Sequence, residues 1–246
     1  MSVNRDLHYL TNYSEFFNFL LKWKVVESST VYNELFSHLK KTSYWNMVSL
    51  FKKEGLIETV GIGYPKKSMI RISSRLARSV YKDSKLGFDL SEIIHESLLT
   101  DYCLFFLNNL KVGNIELAHE LLDSETGNSK LMPDAVIFTN SNKKIAIELE
   151  LTQKSRTRIY RKFNNYMHSE YDYFIYLFIN RSMSKNYVNR AREFNIENNE
   201  EKGTSFLDKL IYIEHLTDSK DNLSNDLKFI IKGKECDFSS FAKVVC

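Results

Sequence analysis

The chain has 246 residues, with 34 Lys and Arg against 31 Asp and Glu, 43% hydrophobic residues and 13% aromatic residues. This apolar content excludes an intrinsically disordered chain, and only 8 Gly and 2 Pro argue against a turn-rich β-sandwich and exclude a collagen-like repeat. No apolar run approaches the ~18 residues of a membrane-spanning helix, the N-terminal residues form no signal-peptide core, and the three cysteines lack metal-ligand spacing. We therefore expect a reduced, cytoplasmic protein without a membrane segment.

Charge is distributed unevenly along the chain. Residues 22–85 contain 13 Lys or Arg and 5 Asp or Glu, so the rest of the chain is net acidic. A second basic segment, 152–168, contains five Lys or Arg and no acid. Two basic segments separated by an acidic stretch are typical of a protein that contacts a polyanion twice, although such runs also form ordinary solvated surfaces.

The first third of the chain predicts three helices followed by two short strands. The helices run over 14–23, from about 28 to 39, and from Tyr44 to Glu54, and the strands over 57–60 and 69–72. A basic turn with two Gly and one Pro separates the strands. The predicted caps and stops are Ser14, Ser28 or Ser29, Thr42 or Ser43, and Gly55. This order is the winged helix-turn-helix pattern.

In such a unit the third helix enters the major groove and the turn reaches phosphates. Met47, Leu50 and Phe51 are predicted to point inward. The predicted DNA-binding residues are Trp45, Asn46, Ser49, Lys52 and Lys53 on the helix, Lys66, Lys67 and Arg71 at the wing, and Lys154, Arg156 and Arg158 in the second basic segment. The alternative is a winged helix used for protein contacts. We place the domain boundary near residue 84, giving a winged-helix DNA-binding domain over 1–84 and a second domain over 85–246.

The second domain predicts alternating helices and strands. A long helix from Asp89 to Leu110 is apolar on nearly all sides, so it is expected to be buried. The elements that follow are predicted as strands 115–122, 135–138 and 145–151, a basic helix 154–169, a buried strand 173–180, a helix 184–198 and a strand 210–214. The predicted order is therefore α-β-β-β-α-β-α-β, an α/β domain with a mixed sheet.

Three acids stand out in this second domain. Asp134 opens one strand, and Glu148 and Glu150 lie two residues apart on the next, so the pair shares a face of the sheet. A hairpin between these strands brings all three carboxylates together. They would repel one another unless a divalent cation lay between them, and Mg²⁺ or Mn²⁺ with carboxylates supports phosphodiester hydrolysis by activating water. The alternative is a pair of surface acids on an edge strand.

The run Pro133-Asp134, followed after a short hairpin by Glu148-Leu149-Glu150, resembles the PD-(D/E)xK nuclease motif. That resemblance implies a restriction-endonuclease-like α-β-β-β-α-β core. The sequence departs from the commonest pattern because Glu150 stands where a lysine is usual. Lys162 on the following helix could supply the ammonium group that the motif lysine usually provides.

A narrower resemblance covers nearly the whole chain. A winged helix, then Pro133-Asp134-Ala135, then Glu-x-Glu-x-Thr ending at Thr152, then Lys162 and Tyr166 on a helix, is similar to the replication-relaxation family, which includes MobC-type plasmid relaxases. His95 and Glu120 also look family-like. The resemblance implies nicking of one strand of double-stranded DNA at an origin of transfer before conjugation, with a mobilisation accessory or coupling protein as a further partner.

Further candidates have plain structural alternatives. Glu96 on the long helix and Glu120 on the first strand are candidate catalytic acids, beside the main set of Asp134, Glu148, Glu150 and Lys162. Glu96 is equally well explained as an exposed helix acid. A histidine such as His95 is more often a core residue than a metal ligand, and Asp101 can cap a helix or pair with another side chain of the chain.

Tyr9 and Tyr13 are candidate covalent nucleophiles. The carboxylates already offer a route to an activated water, so we expect hydrolysis.

Two other functions stay open at this point. The chain could be a DNA-binding replication or transcription factor without catalysis, whose nuclease-like domain only packs or dimerises. It could also be a restriction or repair endonuclease, which uses the same chemistry. The intact set of Asp134, Glu148 and Glu150 favours an enzyme, and only the family resemblance favours a relaxase.

Overall fold

The computed structural model describes residues 2–62, 67–78, 90–124, 132–198, 205–215 and 227–246. The chain is mixed α/β and divides into two compact units, Met1–Tyr102 and Cys103–Cys246. The division falls inside one long helix, and the predicted boundary near residue 84 lies outside the described residues. Within the described ranges, no helix has the length and apolar character needed to cross a bilayer.

The N-terminal unit combines short helices with a three-stranded antiparallel sheet. Strand β3 lies between the other two, in the order β1-β3-β2. The predicted helices and both predicted strands of this unit are confirmed, while α1 and β1 were not predicted. The elements are α1 (Ser2–Asn12), α2 (Ser14–Trp23), β1 (Val25–Glu27), α3 (Ser28–Val31) with a π-helical turn (Tyr32–Phe36), α4 (Lys41–Lys53), β2 (Ile57–Ile62), β3 (Lys67–Ile72) and α5 (Ser74–Leu76).

The end of α4 is the predicted one, but its beginning is not. Gly55 has φ +68°, and the amide of Leu56 donates to the carbonyl oxygen of Phe51 at 2.9 Å, which closes the helix as a Gly stop does. The predicted caps are wrong: α4 begins at Lys41, before Thr42 and Ser43, and Lys40 at its cap position makes no side-chain capping bond. Ser14 is likewise a helical residue, preceded by Tyr13.

The buried residues of α4 differ from the predicted ones. Tyr44, Val48 and Phe51 form the buried stripe, whereas Leu50 is 39% exposed and Met47 is only half-buried. The prediction that Met47 and Leu50 point inward is therefore wrong. The hydroxyl of Tyr44 donates to the carbonyl oxygen of Ser28 at 2.9 Å, which fixes this rotation of the helix.

The C-terminal unit is built on a seven-stranded sheet in the order β10-β9-β8-β7-β6-β5-β4. Strands β6, β7 and β8 are parallel and all other neighbours are antiparallel. The elements, starting with the helix that contains the division, are α6 (Leu90–Asn109), β4 (Val112–Leu117), α7 (Ala118–Ser124), β5 (Ala135–Thr139), β6 (Lys144–Glu150), α8 (Arg156–Met167), β7 (Tyr173–Phe178), α9 (Arg181–Asn198), α10 (Phe206–Lys209), β8 (Leu210–His215), β9 (Leu227–Ile231), β10 (Lys234–Cys236) and α11 (Phe238–Val245).

The hairpin and the buried parallel strands follow from local sequence. Asn142 takes a left-handed conformation, φ +64°, in the turn between β5 and β6, a conformation that Asn tolerates better than most residues. Strand β7 is the apolar run YFIYLF, and five of its six residues are buried, as expected for a parallel strand covered on both faces. An aromatic cluster that includes Phe163, Phe174 and Phe194 packs α8 and α9 on one face of the sheet.

The predicted strand 115–122 ends early, at Leu117. Residues 118–124 form α7 instead, because a carboxylate oxygen of Glu120 accepts the amide of Leu117 at 2.8 Å and so bonds a donor at the start of the helix. The amide of Ala118 donates to the carbonyl oxygen of Asp134, the last bond along that strand edge. The remaining predicted elements of this unit are confirmed, and β9, β10, α10 and α11 were not predicted.

Candidate active site

The hairpin of β5 and β6 brings the three predicted acids to one face of the sheet. Ala135 lies opposite Ile147, which places Asp134 opposite Glu148. Glu150 follows two residues later on β6, on the same face as Glu148. This is the face covered by α8 and α9, so the acids lie beneath helices rather than on an edge strand.

Asp134 is fixed by the backbone of the neighbouring strand. Its Oδ2 accepts the amide of Leu149 at 2.7 Å, and its own amide donates to the carbonyl oxygen of Ile147 at 2.9 Å. These two bonds extend the ladder beyond the end of β5. These bonds hold the carboxylate beside Glu148.

Glu148 is the most enclosed of the three acids. It is 2% exposed, and its two oxygens accept hydrogen bonds from Lys162 and Tyr166. Those two residues lie four apart on α8, so one helix face supplies both donors. Burial, together with the charge of Asp134, raises the pKa of Glu148 to about 7, although Lys162 and Tyr166 favour its ionised form.

The two donors keep their protons. Burial lowers the pKa of Lys162, but the charges of Glu148 and Asp134 outweigh it, so the pKa of the ammonium group is raised overall. Burial and Glu148 raise the pKa of Tyr166 well above its ordinary value. At neutral pH the site therefore presents a cationic lysine and an un-ionised phenol to Glu148.

Glu150 lies at the end of β6 and is 3% exposed. Burial raises its pKa, while the charges of Lys162 and Lys154 act in the opposite direction. The Nζ atom of Lys154 is 3.7 Å from Oε2 of Glu150. Lys154, predicted to contact DNA, thus also lies beside a carboxylate of the cluster.

Tyr176 belongs to this site and was missed from the sequence. It lies next to Glu148 in the parallel register of β6 and β7, and its fully buried hydroxyl has no hydrogen-bond partner among the described residues. A buried hydroxyl without a partner indicates a place for a water or a bound oxygen. The sequence alone could not identify Tyr176, because neither strand's sequence determines which residue of β7 lies beside Glu148.

The other candidate acids are held by local partners. Glu120 lies on α7 and bonds the amide of Leu117, as described above. In the N-terminal unit, Oε1 of Glu96 is 3.9 Å from Nδ1 of His95, and Oδ1 of Asp101 accepts the hydroxyl of Thr30 at 3.0 Å. The internal pairing considered for Asp101 is confirmed. Catalytic roles for Glu96 and Glu120 stay predictions.

The candidate DNA-binding residues of α4 form one exposed face. Their surface position was predicted correctly, and Trp45 is 45% exposed. The face comprises Trp45, Asn46, Ser49, Lys52 and Lys53. At the wing, Nζ of Lys67 is 3.8 Å from Glu27, and Arg71 bonds Glu58 at 2.6 Å across β2 and β3. Lys66 lies outside the described residues.

The second basic segment is partly engaged in ion pairs. Arg156 lies 2.9 Å from Oε1 of Glu197 and packs over the ring of Tyr160, whereas Arg158 is exposed on the first turn of α8.

The candidate nucleophiles Tyr9 and Tyr13 pack their rings against Phe51, with ring centroids 5.8 and 4.9 Å from that of Phe51. Half-buried Tyr9 and exposed Tyr13 thus cover Phe51 at the edge of the core of the N-terminal unit.

The donor chemistry of the cluster fits a divalent cation, since carboxylate oxygens are the ligands that Mg²⁺ and Mn²⁺ prefer. Within the described ranges, no three His, Cys, Asp or Glu side chains are placed to hold one ion together. Mg²⁺ often uses only one or two carboxylates, with waters and substrate phosphates completing its shell.

Comparison of the chain with protein-family models, curated proteins and solved structures found no match.

Proposed function

We propose that this protein is a metal-dependent DNA nickase that cuts one strand at an origin of transfer to start conjugative transfer. The observation that carries the proposal is the cluster of buried Glu148 and Glu150 beside half-buried Asp134, contacted from α8 by Lys162 and Tyr166. Burying two acids beside a third on one sheet face is costly unless a cation compensates them. Clusters with strongly perturbed pKa values are typical of catalytic sites.

Each residue has a defined part in this proposal. One or two of the carboxylates of Asp134, Glu148 and Glu150 would hold Mg²⁺ or Mn²⁺, with waters and substrate phosphates completing its shell; when bound, the ion supplies an activated water and stabilises the departing oxygen. Lys162 keeps its proton and carries positive charge toward the site, where it can compensate charge on a scissile phosphate. Tyr166 donates to Glu148 and orients it.

The N-terminal unit supports a DNA-binding role. Its order of helices, followed by the β2–β3 hairpin beside β1, agrees with a winged helix-turn-helix. The exposed face of α4 offers an amide at Asn46, a hydroxyl at Ser49 and two lysines, a mixture suited to base edges and phosphates.

The family resemblance favours a relaxase over a restriction or repair endonuclease. The residues that carry it lie together: Asp134, Glu148 and Glu150 on the sheet, with Lys162 and Tyr166 against Glu148. Since the sequence pairs these residues with a winged helix, origin recognition and cleavage would be combined in one chain. Double-stranded DNA at the origin is the proposed substrate.

A second candidate function is DNA binding without cleavage. It is favoured by one observation, that both oxygens of Glu148 already accept hydrogen bonds from Lys162 and Tyr166. In that case the carboxylate–lysine pair would stabilise the C-terminal unit and no cation would be needed. The plasmid-nicking assay described next distinguishes the two functions.

The test uses a supercoiled plasmid carrying the duplex sequence that the protein selects from a random pool. With Mg²⁺ or Mn²⁺ we expect conversion to the open circle. Asp134→Asn and Glu150→Gln should lower nicking by about 100-fold or more, because each removes a charged oxygen ligand. DNA binding in a gel-shift assay should hold or rise, since negative charge near phosphate is lost.

Asp172→Asn is the matched control. Asp172 accepts the amide of Lys144 at 2.8 Å at the opposite end of β6, so the same chemical change is made in the same unit away from the cluster. It should nick like the wild type. Nicking at the wild-type rate by Asp134→Asn would refute the metal site, and tight binding without any open circle would favour the second function.

A further inference from the structure

A second candidate site lies on the C-terminal unit, away from the carboxylate cluster. A pocket of about 330 Å³ opens between α9 and strands β8 and β9. Four cations line it: Arg181, Lys185 and Arg192 from α9, and Lys228 from β9. Among these, Lys228 also pairs with Glu235. The pocket is therefore positively charged and suited to an anionic ligand.

One acid is built into the wall of this basic pocket. Glu214, at the end of β8, is 4% exposed, and its buried Oε2 atom has no hydrogen-bond partner among the described residues. Nε of Arg181 is 3.9 Å away, beyond hydrogen-bond distance. A buried carboxylate oxygen without a donor is costly, so this position points to a donor supplied by a ligand.

The lining restricts the chemistry of that ligand. The cations of the pocket attract a phosphate, whereas the Glu214 carboxylate repels one and can accept hydrogen bonds. A ligand that fits both therefore carries a phosphate at one end and N–H donors at the other. Val188 and Ile230, both half-buried, supply an apolar surface between these two ends. A flat ring packs well on such a surface, and the volume is in the usual range of small-ligand sites.

We propose that this pocket binds a guanine nucleotide, with its phosphate beside Lys185 and Arg192 and its Watson–Crick edge toward Glu214. Guanine presents two adjacent donors, N1–H and N2–H₂, which match the two oxygens of a carboxylate. Adenine instead presents an acceptor, N1, beside its amino group and would be repelled. The guanine could belong to a free nucleotide or to a DNA strand. The proposal needs no bond cleavage, so it stands whether or not the protein nicks DNA.

Isothermal titration with three matched nucleotides tests the base. GMP has both donors, IMP lacks the 2-amino group and AMP lacks both. We expect affinity to fall in that order, with GMP binding about tenfold or more tightly than AMP, the size of a bidentate base contact. Equal affinities for GMP and AMP would overturn the proposal, as would no binding of GMP at millimolar concentration combined with no preference for a DNA strand that carries guanine.

Variants assign the contacts. Glu214→Gln should abolish the preference for GMP over AMP by weakening GMP and, since the amide can donate to adenine N1, by strengthening AMP, whereas Arg192→Ala should weaken all three nucleotides to a similar extent. Glu170→Gln is the control, because Glu170 is exposed and pairs with Lys144 outside the pocket. Thermal unfolding of each variant checks that it is folded. If folded Glu214→Gln keeps the full preference for GMP, Glu214 does not read the base.

Oligonucleotides distinguish the two sources of guanine. If the pocket serves a DNA strand, an oligothymidylate with one central guanine should bind more tightly than the same strand without it, and Glu214→Gln should remove that difference. If it serves a free nucleotide, GMP should bind tightly and the two strands should bind alike. Either result supports guanine recognition, and failure of both GMP and the guanine strand overturns it.

Discussion

The N-terminal unit keeps its charged and polar candidate residues at the surface, whereas the C-terminal unit places its acids inside. On α4, Asn46, Lys52 and Lys53 are exposed, and the Glu58–Arg71 pair lies on a sheet face where Glu58 is 36% exposed. On β6, Glu148 and Glu150 are each at most 3% exposed. Exposed groups can contact a large polymer without rearrangement, while buried groups have strongly shifted pKa values. The charged groups of the two units therefore lie in different environments, exposed to water in one and shielded from it in the other.

The same contrast predicts different energetic roles for ion pairs in the two units. An exposed pair contributes about 0–1 kcal/mol, because water solvates the separated charges almost as well. A buried pair contributes little net stability as a whole, but removing one partner leaves an uncompensated charge. The half-buried pair Arg71–Glu58, with side chains 16% and 36% exposed, can be compared with the pair Lys162–Glu148, whose carboxylate is only 3% exposed.

The largest expected effect is that of Lys162→Met. At pH 8.5, where Glu148 is ionised, the variant should lose about 3–5 kcal/mol of unfolding free energy, because a carboxylate would remain buried without its cation. Arg71→Met should lose only about 1 kcal/mol. Urea unfolding, followed separately for each unit, measures both.

A rescue variant checks the cause of that loss. Glu148→Gln in the Lys162→Met background removes the uncompensated charge, so most of the lost stability should return. If the double variant is as unstable as Lys162→Met alone, the loss comes from packing of the lysine stem on α8 rather than from the charge on Glu148.

The next effect is the pH dependence of stability. The pKa of Glu148 is about 7 in the folded chain and near its ordinary value when unfolded, so the folded state binds the extra proton between about pH 4.5 and 7. Stability from this group is therefore present below that window and falls as pH rises through it, by roughly 3 kcal/mol. Unfolding with EDTA present, from pH 5 to 8, measures it.

Glu148→Gln is the comparison for this titration. Since the amide does not ionise, the loss of stability between pH 5 and 8 should shrink in the variant by the share that Glu148 contributes. Burial also raises the pKa of Glu150, so a smaller loss of stability with rising pH should remain in both the wild type and Glu148→Gln. Identical pH profiles for the two proteins would contradict a raised pKa at Glu148.

Much of the fold could be predicted because local patterns determine it. The apolar run of β7, the Gly55 stop and the Asn-rich turn before β6 each specify their element without help from distant residues. The helix α7 could not be predicted, because its start depends on a bond from Leu117 to Glu120 and on where β4 stops pairing. Alternation of apolar residues fits a strand there equally well.

The site was predictable only in part for a similar reason. Asp134, Glu148 and Glu150 could be placed together because a short hairpin fixes their register along the chain. Tyr176 and Glu214 could not, since they lie on strands joined by long parallel crossovers whose register depends on packing. The start of α4 was missed because Lys40 carries no side-chain cap to mark it, and its buried face was missed because the bond from Tyr44 to Ser28 joins distant parts of the chain.

The smallest expected effect lies on the exposed face of α4, and it separates reading of bases from attraction to phosphates. Asn46→Ala should lower the preference for the selected sequence over random DNA by about tenfold and leave the salt dependence unchanged, because an amide pairs with an adenine edge. Lys53→Ala should weaken binding on every sequence and reduce the salt slope by about 0.9, since one phosphate contact is lost.

Gel-shift titrations over a range of salt concentrations measure both quantities, and the paired variants make the result informative. Asn46 and Lys53 lie seven positions apart on α4, both exposed, so a helix in the major groove presents them on one face. Loss of sequence preference without a change in slope for Asn46→Ala, and the reverse for Lys53→Ala, would support that docking. If neither variant alters binding, α4 does not face the DNA, and the recognition surface must be sought on the second basic segment, where Arg158 is exposed.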